Sequence, residues 1–204
     1  MDTPAPAPRR PELRVRIAAL LLVIGAFGLL LWRAQLFTVA RPGDGPRPLA
    51  IVAPEAEPRA FAATLPVVPV GVMRVEPGTV PLLVHYWAPW ERHSRNQITG
   101  LDSLATLLGS EQVRVVVVCF DPFPSVARYV RRHGVRSPVL LDLRRELQVA
   151  LPCPSMPYTW LLDANGRVLV SQPGEVDWLA PGTRAAIEAA RESAARTRTV
   201  REGT

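Results

Sequence analysis

The stretch Leu83-Val84-His85-Tyr86-Trp87-Ala88-Pro89-Trp90-Glu91-Arg92-His93-Ser94 decides the fold. Its first half belongs to a short apolar run after Pro81, which reads as a buried strand over Leu82 to Trp87. Its second half opens a helix over Ser94 to Leu108. Ile98, Leu101, Leu104 and Leu108 fall on one face of that helix, and Gly100 weakens it. At the junction Glu91 complements the positive end of a helix dipole, and Ser94 is a candidate N-cap. The strand therefore delivers Trp90, Glu91, Arg92, His93 and Ser94 to a helix start.

Outward from this point the chain alternates. Val113 to Phe120 carries five valines and suits a central strand buried on both faces. Pro124 to His133 reads as a second helix, with Pro124 in its first turn and Gly134 at its end. Val139-Leu140-Leu141 is a short apolar stretch, and Arg144 to Ala150 a short helix. Tyr158 to Leu162 and Val168 to Ser171 read as strands around Asp163-Ala164-Asn165-Gly166, where Asn-Gly signals a hairpin. Pro181 to Arg196 closes the pattern as an Ala-rich helix. Upstream, Val67 to Val75 reads as a first strand that Pro69 confines to an edge. The order implies an α/β fold with parallel central strands, flanking helices and an antiparallel edge hairpin.

Three motifs carry a resemblance. Trp87-Ala88-Pro89-Trp90 stands between a strand and a helix, and Met156-Pro157-Tyr158 precedes the hairpin strands. Between them lie Asp121 after the valine strand and Val135-Arg136-Ser137-Pro138-Val139-Leu140-Leu141-Asp142, with Gly174-Glu175-Val176-Asp177-Trp178 later. Together these resemble the thioredoxin superfamily, in particular its membrane-anchored periplasmic TlpA/ResA-like redoxins. The resemblance covers roughly residues 67 to 195 and implies a thioredoxin-like fold with a cis-proline loop at Pro157. It also implies a pair of cysteines at the start of the helix, one a thiolate nucleophile and one resolving the mixed disulfide. The corresponding positions here are Glu91 and Ser94, with Arg92 and His93 between them. A carboxylate and a hydroxyl do not exchange electrons with a disulfide.

The two cysteines present are Cys119, near the end of the valine strand, and Cys153, just before Pro157. Three readings are open: separate buried thiols, a structural disulfide bracing the proline loop, or a relocated redox pair. His85 falls where the family often places a polar residue beneath its dithiol. Its plain reading is a partly buried histidine bonded to a neighbour. His85, Glu91, His93, Cys153 and Met156 approach the same sheet edge, but their spacing does not suit a metal, so no metal and no cofactor are expected.

Ile17 to Trp32 is an uncharged apolar run flanked by Arg16 and Arg33. It approaches the roughly 20 residues a membrane helix needs. Arg9, Arg10, Arg14 and Arg16 precede it, against Arg33 and Arg41 after it, which places the N-terminus in the cytoplasm and the rest outside. A signal peptide cleaved near Thr38-Val39-Ala40 is the rival reading, and both export the domain. The expected organisation is a cytoplasmic tail at 1–16, a single-pass inner-membrane anchor at 17–33 and a Pro-rich linker at 34–66. A thioredoxin-like domain follows at 67–195, with a polar tail at 196–204.

The net charge is +6, and all 24 Lys-or-Arg positions are Arg. That pattern resembles a coding bias. The arginines are scattered among acids without an aromatic-rich basic stripe, so nucleic acid is not an expected partner. The expected partners are the membrane, through 17–33, and a protein or peptide in the groove of Trp90, Met156 and Pro157. The leading expectation is a binding module in envelope redox chemistry or cytochrome maturation. The alternative is a thiol-disulfide oxidoreductase working through Cys119 and Cys153, and a third class is a purely structural role in a membrane complex.

Overall fold

A computed structural model describes residues 45–52 and 57–202, with the side chains of 194 and 197–202 left aside. The apolar run at 17–33 lies outside the described residues. Among the described residues no helix is long and apolar enough to cross a membrane.

The chain forms β1 (Ala63–Val68), β2 (Val72–Val75), β3 (Leu82–Tyr86), α1 (Arg92–Leu108), β4 (Arg114–Cys119), α2 (Phe123–His133), β5 (Val139–Leu141), α3 (Glu146–Ala150), β6 (Tyr158–Leu162), β7 (Val168–Pro173) and α4 (Pro181–Glu202). The seven strands make one sheet in the order β2-β1-β5-β4-β3-β6-β7. β3 and β5 run parallel to the central β4, while β6 is antiparallel to β3 and β7 to β6.

Alternation along β4 divides the core into two layers, because successive strand residues point to opposite faces. Val115, Val117 and Cys119 join Ile98, Leu101 and Leu104 of α1, Val126 of α2 and Ile187 of α4 on one face. Val116 and Val118 join Tyr86, Leu140, Trp160 and Leu147 of α3 on the other. The sheet is thus buried on both sides, which is why its central strands are continuous apolar runs rather than alternating ones.

Buried carboxylates fix the turns. Asp142 is fully buried and accepts the backbone N–H groups of Glu146, Leu147 and Gln148, so it anchors the start of α3. Asp163 accepts the N–H groups of Asn165 and Arg167 in the β6–β7 turn. Gly166 in that turn has φ +87, and a Cβ there would meet the carbonyl oxygen of Arg59 at 2.5 Å. Only glycine fits this close backbone approach.

Three expectations change. The segment Val67 to Val75 is two strands joined through a cis Val68-Pro69 bond, and the edge strand is β2. β1 pairs with β2 along Ala63 to Pro66 and with β5 along Val67 and Val68, so Pro66 sits where one partner gives way to the next. The stretch 34–66 is not all linker. Leu49 is buried, its N–H bonds to Thr183 Oγ1, Arg47 bridges to Val176, and β1 already begins at Ala63. Prolines suppress helix in this stretch, but they do not prevent an extended strap from packing on a core. At the other end α4 runs to Glu202, past the expected domain boundary at 195.

Candidate functional site

β3 ends at Tyr86, and the Trp87 N–H continues its ladder to the Val118 carbonyl at 2.9 Å. Trp87 and Ala88 are buried, so the turn is held from below. α1 then starts at Arg92, two residues before the expected Ser94, and its N-cap is Glu91. Glu91 has an extended backbone, φ −84 and ψ 125, as an N-cap requires. One carboxylate oxygen accepts the His93 N–H at 3.0 Å and the other the Ser94 N–H at 2.5 Å. Both oxygens are therefore spent on the open N–H groups of the helix. Ser94 is not the cap. It lies one turn in, fully buried, and its hydroxyl has no hydrogen-bond partner among the described residues. Arg92 and His93 are exposed, and His93 Nδ1 lies 2.8 Å from Glu175 Oε1.

The β3–β6 register sets Tyr86 opposite Tyr158, so the Trp87–Trp90 turn and the Met156-Pro157 loop share one edge of the sheet. The Met156-Pro157 bond is cis. Pro157 is buried and its carbonyl accepts the Gly174 N–H at 2.9 Å. Met156 is half-buried, and among the described residues neither its N–H nor its C=O takes part in a backbone hydrogen bond. Trp90 is 67% exposed, and its Nε1 donates to Asp121 Oδ2 at 3.1 Å. An exposed indole and an unspent backbone pair thus stand at the same edge.

Beneath them is His85, fully buried on β3. Its Nδ1 bonds to Thr159 Oγ1 at 3.0 Å, and its ring meets the edge of Trp178 at 5.2 Å between centroids. Burial lowers its pKa to about 3, so the imidazole is neutral at physiological pH. Nε2 has no partner among the described residues.

Cys119 and Cys153 are both free thiols. Cys119 lies on the sheet face covered by α1 and α2, and Cys153 packs against the opposite layer. The two cysteines pack in opposite layers of the core, and no disulfide joins them. Cys119 Sγ contacts Asp121 Oδ2 at 3.4 Å, and Cys153 Sγ donates to the Ser155 carbonyl at 3.0 Å. Burial pushes both thiols up to about 12, far from the reactive range. Among the described residues no group of three His, Cys, Asp or Glu side chains is placed to hold a metal ion.

No family model matches the chain. Thioredoxin 1 of Synechococcus elongatus is 36% identical over 84 residues, which cover 41% of this chain and 75% of that protein. The chain belongs to the thioredoxin superfamily. Within the superfamily it is also similar to the thiol-disulfide oxidoreductase ResA of Geobacillus kaustophilus, 23% identical over 88 residues. That match covers 43% of this chain and about half of ResA, 51% of its length. The exposed lipoprotein thioredoxin Etrx1 of Streptococcus pneumoniae shares the fold, with a TM-score of 0.55 at 18% identity, over 65% of this chain and 99% of that one.

Against the superfamily pattern, sequence reasoning missed four partners. Thr159 holds His85, Asp121 holds Trp90, Glu175 holds His93 and Trp178 covers His85. Thr159 follows from the strand order, since it stands directly opposite His85 in the β3–β6 register. The other three sit in loops and carry no periodic signal.

Proposed function

We propose that this chain is a membrane-tethered thioredoxin-like redoxin outside the cytoplasm whose dithiol has been replaced, and that it binds a peptide or protein in envelope redox chemistry or cytochrome maturation. The observation that carries this reading is the state of Glu91. It stands where the superfamily motif places its nucleophilic thiol, and both carboxylate oxygens are bonded to the start of α1. Neither Glu91 nor the buried Ser94 hydroxyl supplies a redox-active sulfur.

What the edge retains is a binding surface. The exposed Trp90 offers a large flat contact, and the N–H and C=O of Met156 suit an extended segment added as a strand. The tether rests on the Ile17 to Trp32 run and its flanking arginines, and the exposed lipoprotein Etrx1 is consistent with a place at the cell envelope. The test is co-purification from envelope membranes with the intact chain and with Trp90→Ala. The account expects partners that the variant loses. Identical partner lists would remove the groove from the account.

A further inference from the structure

From Arg92 at the start of α1, an open cleft of about 800 Å³ runs between α1 and α2. Four arginines are among its lining residues, Arg92 and Arg95 from α1, Arg132 from α2 and Arg136 from the turn that follows. All four side chains are exposed, and among the described residues no carboxylate forms an ion pair with any of them. Asp102 is the one carboxylate on the lining, and it is already committed. Its two oxygens accept the backbone N–H groups of Arg136 and Ser137 at 2.9 and 2.8 Å. The lining thus holds four arginines and one carboxylate, and that carboxylate is bonded to the backbone. Asn96 and Thr99 add neutral polar groups along the same helix face, at the spacing that puts them in line with Arg92 and Ser103.

From this arrangement we infer that the α1–α2 cleft binds a compact phosphate-bearing anion. Like charges that line one cleft repel one another, more weakly as salt rises, and an anion seated among them relieves the repulsion. The planar guanidinium fork matches the oxygens of phosphate and forms paired, charge-assisted hydrogen bonds. A tetrahedral phosphate presents several oxygens at once, so it can take donors supplied by two helices and a turn. One carboxylate offers only two oxygens. The volume is that of a small-molecule site, typically about 300 to 1,000 Å³, but the polar, basic lining does not suit an apolar occupant. The phosphate arrives either on a soluble phosphorylated compound or on the headgroup of an anionic lipid. The inference uses neither binding at Trp90 nor any redox chemistry.

The experiment is calorimetric titration of the full chain in neutral detergent with inorganic pyrophosphate and, separately, with glycerophosphoglycerol, a lipid headgroup without its chains. It is repeated on Arg95→Ala/Arg132→Ala and on Arg144→Ala/Arg191→Ala. The second pair removes the same charge from arginines near Glu146 and Glu188, outside the cleft. Saturable one-to-one binding of pyrophosphate is expected, weakened at least about tenfold in the cleft variant and unchanged in the control. Glycerophosphoglycerol binding with the same loss would assign the site to a lipid headgroup. Binding of pyrophosphate alone would assign it to a soluble compound. No saturable binding of either probe, or equal losses in both variants, would overturn the site. Because the substituted side chains are exposed, thermal unfolding midpoints of both variants should match the parent and so separate lost binding from lost fold.

Discussion

His85 is the residue whose chemistry depends most on its surroundings. In the folded chain it is neutral down to about pH 3, because burial disfavours the charged ring. In the unfolded chain it titrates near 6.5. Between these values the unfolded state binds a proton that the native state does not. Stability attributable to His85 is therefore complete above pH 6.5 and is lost as the pH falls toward 3, by about 1.4 kcal/mol per pH unit. Denaturant titrations at pH 7 and pH 5 should show this slope, and His85→Gln should flatten it. A slope unchanged in the variant would place the acid sensitivity elsewhere. Read from sequence, His85 stands in an apolar strand, which suggests partial burial. Full burial follows from the sheet order, which puts β4 and β6 on either side of β3, and from Trp178, whose ring packs on the imidazole from a loop after β7.

The decisive element is the first turn of α1. A carboxylate that accepts two N–H groups at a helix N-terminus typically contributes about 1 kcal/mol, with a range of roughly 0.5 to 2. Glu91→Ala should lower stability by about that amount, measured as a shift in the denaturation midpoint. Ser94→Ala should cost less, since the hydroxyl it removes has no partner among the described residues. Equal losses would mean that Ser94 shares the cap. The helix and its apolar face were legible from Ile98, Leu101 and Leu104. The cap was not, because Glu and Ser are both acceptable near a helix start. Only the backbone angles of Glu91 separate them. The same limit affected the first strand, where a single run containing Pro69 turned out to be a hairpin.

At the scale of the whole molecule, the strap at 45–52 changes where the domain begins. Leu49 is 4% exposed and packs in the layer of α1 and α4, with the Val52 N–H bonded to the Leu169 carbonyl at 2.8 Å. Leu49→Ala should destabilise the fold by about 2 to 5 kcal/mol, as for other large-to-small core changes. A shift below ~0.5 kcal/mol in chemical denaturation would make the strap peripheral. Six prolines between residues 42 and 66 hid this segment, because proline content reports the absence of helix and says nothing about packing. The α/β alternation, by contrast, was legible from the valine run and the Asn165-Gly166 hairpin, since local turn chemistry and strand burial agree there. Long-range placement set the fate of the cysteines. Alternation along β4 directs Cys119 to one face, while Cys153 comes from a loop on the other.

The account stands on the loss of thiol chemistry at the start of α1. The measurement that tests it most directly is turnover of a disulfide-bonded peptide with dithiothreitol as reductant, comparing the parent chain with Glu91→Cys/Ser94→Cys and with Cys153→Ser. The account predicts no turnover by the parent or by Cys153→Ser, and turnover by the double variant. Turnover by the parent that disappears in Cys153→Ser would contradict it and make the chain an oxidoreductase through its remaining cysteines.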